Sequence, residues 1–270
     1  MTARARVAGR VDVSLTTIAT RLPTLARTLG SLLAQDHDDL RVHLWVSEAP
    51  HLLDAGIREI PADIAALEAG SGGRLVIGRC PNWGPYRKLV PYLRRHWGEG
   101  RLVVTADDDT IYPAGWLGGL LDAWAAYGCC VAYRGHRMRV ERGAIAPYRS
   151  WMRAPIEENP SRLLLPTGKD GVLYDTAFFE EGVLDMETAM RIAPTVDDLW
   201  FRWHLAMRGV PVHLISTDYE TGSLAGAETD AADSLYLRYN LQGGNDAAIA
   251  ALEAHFRART GEGLADREAI

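Results

Sequence analysis

Alternating strand and helix signals predict an α/β fold in one domain, with a mostly parallel central sheet flanked by helices. Three observations carry this expectation. Apolar runs of strand length recur at residues 11–15, 40–46, 75–77 and 101–106. Between them lie segments whose apolar residues repeat at helical spacing. The composition, 47% hydrophobic and 24% charged over 270 residues, is that of a globular chain long enough to bury a sizeable core.

The elements follow in order. After the first strand comes a polar loop, residues 16–21, and Pro23 then opens a helix whose Leu22, Leu25, Leu29, Leu32 and Leu33 share a face. Residues 84–96 read as a helix with its basic residues on one side. Residues 114–127 read as another, with Trp116, Leu117, Leu120, Leu121 and Trp124 on its apolar face. Residues 134–170, rich in Arg, Pro and Gly, read as a long functional loop or hairpin region. A short apolar segment follows at 171–174, then a helix over 196–208 stopped by Gly209 and Pro211, a strand at 212–215 and a terminal helix at 246–259.

Composition excludes several functions. With 29 Lys and Arg against 35 Asp and Glu the net charge is −6, which argues against nucleic acid as the main ligand. No apolar run approaches the roughly 20 residues of a membrane span. The basic N-terminus lacks an apolar segment behind it, so no secretory signal is expected and the chain is placed in the cytoplasm. Three cysteines form neither a disulfide framework nor a zinc set, and all are expected to be reduced.

The sharpest chemical signal is the strand 101–106 running into Asp107, Asp108 and Asp109. Ligands bind at the C-terminal edge of such a sheet. Asp107 and Asp109, at alternate positions of an extended turn, can share one hard divalent cation, and an oxygen-only donor set selects Mg²⁺ or Mn²⁺ over zinc. A solvated acidic turn with Asp109 as a helix cap is the plain alternative, but it needs one acid, not three. A second acidic pair, Asp197-Asp198, opens a helix behind Thr195, where a near capping box accounts for one acid more readily than for both. Arg87 and Lys88, at a helix start, are candidates for holding an anionic ligand, or else lie on a solvated basic face. His136 is a candidate phosphate or substrate contact, and His213 is a core residue or a metal ligand.

Ser14-Leu15-Thr16-Thr17 with Arg21, then residues 85–91, then residues 105–113 with Trp116, resemble the GT-A-fold glycosyltransferases, above all family-2-like enzymes of bacterial surface polysaccharide synthesis. Gly171-Val172-Leu173-Tyr174, Asp197-Asp198-Leu199-Trp200 and residues 239–246 continue the pattern in order, so the likeness spans about residues 11–250. It implies a nucleotide-sugar-binding half over about 11–130, an acceptor and catalytic half over about 131–250, and a helix and tail beyond. Asp107 and Asp109 resemble the D-x-D pair that holds Mn²⁺ or Mg²⁺ against the donor diphosphate. Thr16, Arg21, Lys88 and Asp108 are then expected around the nucleotide, and Asp198, supported by Asp197, as the general base of an inverting enzyme. Burial against Trp200 and Trp203 would raise the Asp198 pKa toward the range a base needs. Where such relatives carry two glycines and a Pro-Pro pair around the Val-Leu-Tyr segment, this chain has Lys169-Asp170-Gly171 and Asp175-Thr176, which points to a different acceptor pocket.

The implied partners are a nucleotide-sugar donor and a glycan or lipid-linked glycan acceptor, with peripheral contact to a membrane compatible with both. Eight tryptophans, several expected near the cleft, suit sugar stacking. A sugar nucleotidyltransferase is the nearest rival, but it calls for a glycine-rich loop after the first strand, and residues 16–21 contain no glycine. A non-catalytic nucleotide-sugar or glycan-binding module is the other.

Overall fold

The computed structural model describes residues 9–152, 154–218, 224 and 234–269. The basic stretch 1–8, on which the leader expectation rests, lies outside them.

Eleven strands and seven α-helices are present among the described residues. In chain order, β1 (Val11–Thr16), α1 (Leu22–Leu33), β2 (Leu40–Val46), α2 (Ala62–Gly70), β3 (Leu75–Arg79), α3 (Val90–Arg95), β4 (Leu102–Ala106), α4 (Trp116–Tyr127) and β5 (Cys130–Ala132) form the first half. The second half holds β6 (Gly135–Arg137), β7 (Val140–Glu141), β8 (Ala144–Ile145), β9 (Leu164–Pro166), β10 (Val172–Asp175), α5 (Met186–Ile192), α6 (Asp197–Met207), β11 (Val212–Leu214) and α7 (Asn245–Thr260).

Seven strands make the central sheet, in the order β11-β5-β10-β4-β1-β2-β3. Only β10 runs antiparallel to its neighbours; every other pairing is parallel. The chain leaves β1 toward β2 and β3, then returns to place β4 on the other side of β1. That reversal opens a crevice at the C-terminal ends of β1 and β4.

Both faces of the sheet are covered, so the strands read as apolar runs. Val11, Val13 and Leu15 of β1, Val104 of β4 and Leu173 of β10 meet Leu25, Leu29 and Leu32 of α1 and Leu117 and Leu120 of α4. Val103, Val172, Tyr174 and Cys130 point the other way, into a core built with α3, α5, α6 and α7. Truncating a buried leucine of the α1 stripe to alanine is expected to cost about 2–5 kcal/mol. On this second face β1 presents Asp12, whose buried carboxylate accepts from Tyr92 Oη at 2.6 Å and meets His43 Nε2 at 3.1 Å.

Several expectations are corrected. The single helix over 84–96 is two pieces, a 3₁₀ turn at Gly84–Lys88 and α3, broken at Leu89 with φ −129. Pro91 has no N–H to donate to the carbonyl of Arg87 four residues back, so the helix cannot run on from the 3₁₀ turn, while proline is tolerated in the first turn of α3. The helix α2 was not expected, because its apolar positions form no stripe and it buries only Ile64. Of the two readings of 134–170, loop or hairpin region, the second holds: it contains two small antiparallel sheets, β6-β9 and β7-β8. The three cysteines are free, with Cys129 and Cys130 buried. No helix among the described residues is long and apolar enough to cross a membrane.

Candidate active site

A cleft of about 600 Å³ opens at the C-terminal ends of β1 and β4. Thr16, Arg21, Lys88, Asp107, Asp108, Asp109, Asp197 and Asp198 all line it. The tertiary fold therefore brings together residues up to 182 positions apart in sequence.

The acidic turn leaves β4 with its three carboxylates separated by role. Asp108 is 3% exposed, its Oδ1 accepting from Arg21 Nη1 at 2.5 Å and its carbonyl from Thr28 Oγ1 at 3.0 Å. It anchors the turn to α1. Arg21 also lies 3.3 Å from Asp109 Oδ2, so it serves the acids rather than standing open for a nucleotide. Asp107 and Asp109 remain partly exposed in the cleft. Burial and the neighbouring Asp107 push Asp109 up to about 6. Burial also works against ionised Asp107, but Lys88, Arg21 and Lys169 outweigh it and hold its pKa below the usual range. Two carboxylates close enough to oppose each other's ionisation fit a hard divalent cation. Mg²⁺ is commonly held by one or two carboxylates with phosphate oxygens and water completing its shell. No cluster of three or more His, Cys, Asp or Glu suited to a metal occurs among the described residues.

Lys88 stands between the two acidic groups. Its Nζ donates to Asp107 Oδ1 at 3.0 Å and lies 3.8 Å from Asp197 Oδ2. Burial opposes its charge, yet Asp107, Asp197 and Asp198 together raise its pKa well above the ordinary value. Of the two readings of Arg87 and Lys88, the solvated basic face does not hold for either. Arg87 is 1% exposed and pairs with buried Asp54 at 2.9 Å.

The acid pair opens α6, but not as a capping box. Val196 occupies the N-cap and makes no side-chain cap bond. Thr195 Oγ1 instead lies 2.7 Å from Asn240 Oδ1. Asp198 Oδ2 accepts from the backbone N–H of Gly168 at 2.9 Å, a bond from outside its own helix. Burial first, then Asp197, raises Asp198 to about 7; burial likewise raises Asp197. Trp200 and Trp203 are packed in the core, with their indole N–H groups on Val183 O and Glu253 Oε1.

The Gly168 platform is a feature that sequence reading missed. A sharp turn precedes β10, with Asp170 at φ 71 and Gly171 at φ 106. A Cβ on Gly171 would meet the Trp116 ring at 2.5 Å, and Trp116 Nε1 donates to Asp170 O at 2.7 Å. The Asp170 carboxylate pairs with Arg134 Nε at 2.5 Å, both side chains buried. Removing one partner of such a pair costs about 3–5 kcal/mol. The turn holds Gly168 so close that a Cβ there would sit 2.8 Å from Lys88 Nζ and 3.1 Å from Asp198 Oδ1.

The remaining candidates are placed as follows. Thr16 lines the cleft but its Oγ1 donates to Trp45 O at 2.8 Å. His136 lines the cleft with its pKa lowered to about 4 by burial and then by Arg134. His213 stacks on Tyr127 at 4.0 Å in edge strand β11 and is not part of the cleft lining. Among the described residues no tryptophan lines the cleft, and the aromatic rings that do are Tyr148, Tyr236, His51 and His136. Sequence reading also missed Asp54, whose Oδ1 accepts from the N–H groups of Ala19 and Gly56.

No family profile matches the chain, and no curated protein matches it in sequence. Among solved structures, the fragment 1–349 of S. aureus TarS in complex with UDP matches with a TM-score of 0.54 at 14% identity, over 92% of this chain and 72% of that one. The same fragment with UDP-GlcNAc gives 0.42 at 16% identity, over 63% and 46%. The 4-diphosphocytidyl-2C-methyl-D-erythritol synthase of Anaerococcus prevotii gives 0.49 at 14% identity, over 86% and 96%. The chain thus spans less than half the length of the UDP-GlcNAc-bound TarS fragment. At such identities the likeness is one of fold. The chain has a GT-A fold, a mostly parallel Rossmann-like sheet flanked by helices, shared with UDP-bound TarS.

Proposed function

We propose that this chain is a metal-dependent glycosyltransferase that moves a sugar, with inversion, from a nucleotide sugar to a hydroxyl of a glycan or lipid-linked glycan. The observation that carries this reading is a division of labour among the acids. Lys88, bonded to Asp107, helps hold that pKa low, while burial and then Asp197 raise Asp198 to about 7. Pairs of acids whose surroundings drive their pKa values apart are the usual mark of distinct chemical roles.

In this reading Asp107 and Asp109 hold Mn²⁺ or Mg²⁺, which when bound offsets the charge that develops on the departing diphosphate. Arg21 and Asp108 fix the acidic turn against α1, so both ligands keep their geometry. Lys88 sits within reach of the phosphate side of the site and keeps Asp197 from repelling an incoming anion. The Gly168 N–H fixes Asp198 Oδ2, leaving Oδ1 to accept the proton of the acceptor hydroxyl as it attacks. A base that removes that proton, with no second carboxylate serving as nucleophile, gives single displacement and hence inversion. TarS has been crystallised with UDP and UDP-GlcNAc, which makes UDP-sugars the first donors to test.

Calorimetry with UDP and Mn²⁺, followed by a hydrolysis screen of UDP-sugars, tests the proposal. The expected result is UDP binding that EDTA removes, together with slow metal-dependent hydrolysis of one donor. Equal affinity with and without EDTA overturns the metal assignment, and affinity without any turnover favours a binding module.

A further inference from the structure

The cleft continues, at the end carrying the acid pair, into a rim with its own chemistry. Tyr148 and Met152 line it from one segment, Leu235 and Tyr236 from another, and Tyr236 Oη lies 4.0 Å from Met152 Sδ. Asn240 follows in the second segment and bonds both the side chain and the backbone carbonyl of Thr195, two residues before Asp197. The rim therefore adjoins the acid pair. A smaller cavity of about 310 Å³ shares His136 and Met152 with the cleft and adds Arg137 and Trp151.

Two observations say what this region would take. Four of the seven large apolar side chains left exposed among the described residues are Met152, Tyr236, Leu237 and Tyr239. Partly exposed tyrosines at a cleft mouth present flat apolar faces with a hydroxyl at the tip, which suits sugar rings. The charge is also opposite in sign to that of the chain as a whole. Residues 134–153 carry six arginines and one glutamate in a chain of net charge −6; Arg134 is taken by Asp170 and Arg139 by Glu141. Arg149 and Arg238 are exposed, Arg137 is half-buried in the side cavity, and no carboxylate of the described residues pairs with any of the three. Carboxylates also lie in this region: Asp246 accepts from the Tyr148 N–H at 2.7 Å, Asp218 lines the side cavity, and Glu157 and Glu158 follow Ile156 of that lining.

We propose that the acceptor is an anionic glycan, bearing carboxylate or phosphate groups, with Arg137, Arg149 and Arg238 reading its charges and Tyr148 and Tyr236 carrying its sugar faces. The proposal rests on the transferase reading above and names the acceptor class for that site. Guanidinium groups bind carboxylate and phosphate in bidentate, charge-assisted pairs, which makes them selective as well as attractive. An anionic bilayer would meet the outermost residues only, whereas a glycan chain can reach Arg137 inside the side cavity.

The test is calorimetric binding of four probes: oligogalacturonate, a phosphorylated oligomannose, a neutral dextran oligosaccharide of equal length, and phosphatidylglycerol vesicles. One of the two anionic oligosaccharides is expected to bind about tenfold or more tighter than dextran. Arg149→Glu combined with Arg238→Glu is expected to remove that preference, with Arg149→Gln and Arg238→Gln as milder variants should the reversal disturb folding. The melting temperature and the UDP dissociation constant of each variant serve as folding controls. Equal binding of charged and neutral oligosaccharides, an unchanged dissociation constant after charge removal, or binding to vesicles alone overturns the proposal. Loss of UDP binding by the native protein would instead strike the transferase reading, so the two failures are distinguishable.

Discussion

Lys88 Nζ donates to Asp107 Oδ1 at 3.0 Å from a 3₁₀ turn on one side of the cleft to the end of β4 on the other. The same ammonium lies 3.8 Å from Asp197, so one cation balances two acidic sites that differ in predicted role. Lys88→Met, which keeps the stem and removes the charge, is expected to weaken UDP binding about tenfold or more. Without the ammonium, Asp107 and Asp197 would both ionise less readily, so the Kd for UDP should also become more pH-dependent between 5 and 8. An unchanged Kd across that range places Lys88 outside donor binding.

Asp198→Asn separates a base from a structural acid. The amide retains an oxygen that can accept from the Gly168 N–H, so the platform should persist. Loss of a base is expected to lower kcat at least about 100-fold with donor affinity retained. In the native protein, activity should rise with pH through about 7, because Asp198 must be ionised to act. The stability effect runs the other way. A carboxyl whose pKa is raised on folding costs stability as pH rises above its unfolded value near 4, so the neutral amide should raise Tm at pH 8 by roughly 2–4 °C. Normal turnover in this variant would move the base elsewhere.

Gly168→Ala tests the close approach of the turn to the site. The added methyl would press on Lys88 Nζ and Asp198 Oδ1, both tips of side chains that can move aside. Tm should change by no more than about 2 °C while kcat falls at least about tenfold, since small displacements of positioned groups cost large factors in rate. Undiminished turnover would show that neither side chain needs its present position.

Stability should fall in mild acid. His204 is buried among Trp200 and Phe256, and burial, then Arg259, lowers its pKa to about 3; His136 is lowered to about 4. A histidine whose folded pKa is depressed contributes stability above its unfolded value near 6.5 and loses it as pH falls toward the folded one. Urea unfolding at pH 7, 6 and 5 should therefore show decreasing ΔG, and His204→Phe should flatten that decline. A slope unaffected by the substitution would assign the acid limb to other groups.

The strand and helix pattern of the first half was legible because apolar alternation and helical spacing are local properties. The helix α2 was not, since an element that buries only Ile64 leaves no apolar stripe to read. The break before α3 carried a signal in Pro91, which has no N–H to continue a helix from Arg87, but the basic run obscured it. At the candidate site, the acids following β4 announced themselves by three adjacent like charges. Gly168 and Asp54 did not, because a backbone N–H and a lone loop aspartate have no sequence signature.

The sequence by itself determined the α/β architecture, the acidic turn at the end of β4 and the second acid pair at the start of α6, all set by hydrophobic period and local charge. Only the tertiary structure decided which acids face which cations: Arg21 takes Asp108 and Asp109, Lys88 takes Asp107, and Arg87 turns away to Asp54. The reason is physical. A charge taken from water must find a partner wherever the fold brings one within reach, and that partner is a matter of distance in space, not of spacing along the chain.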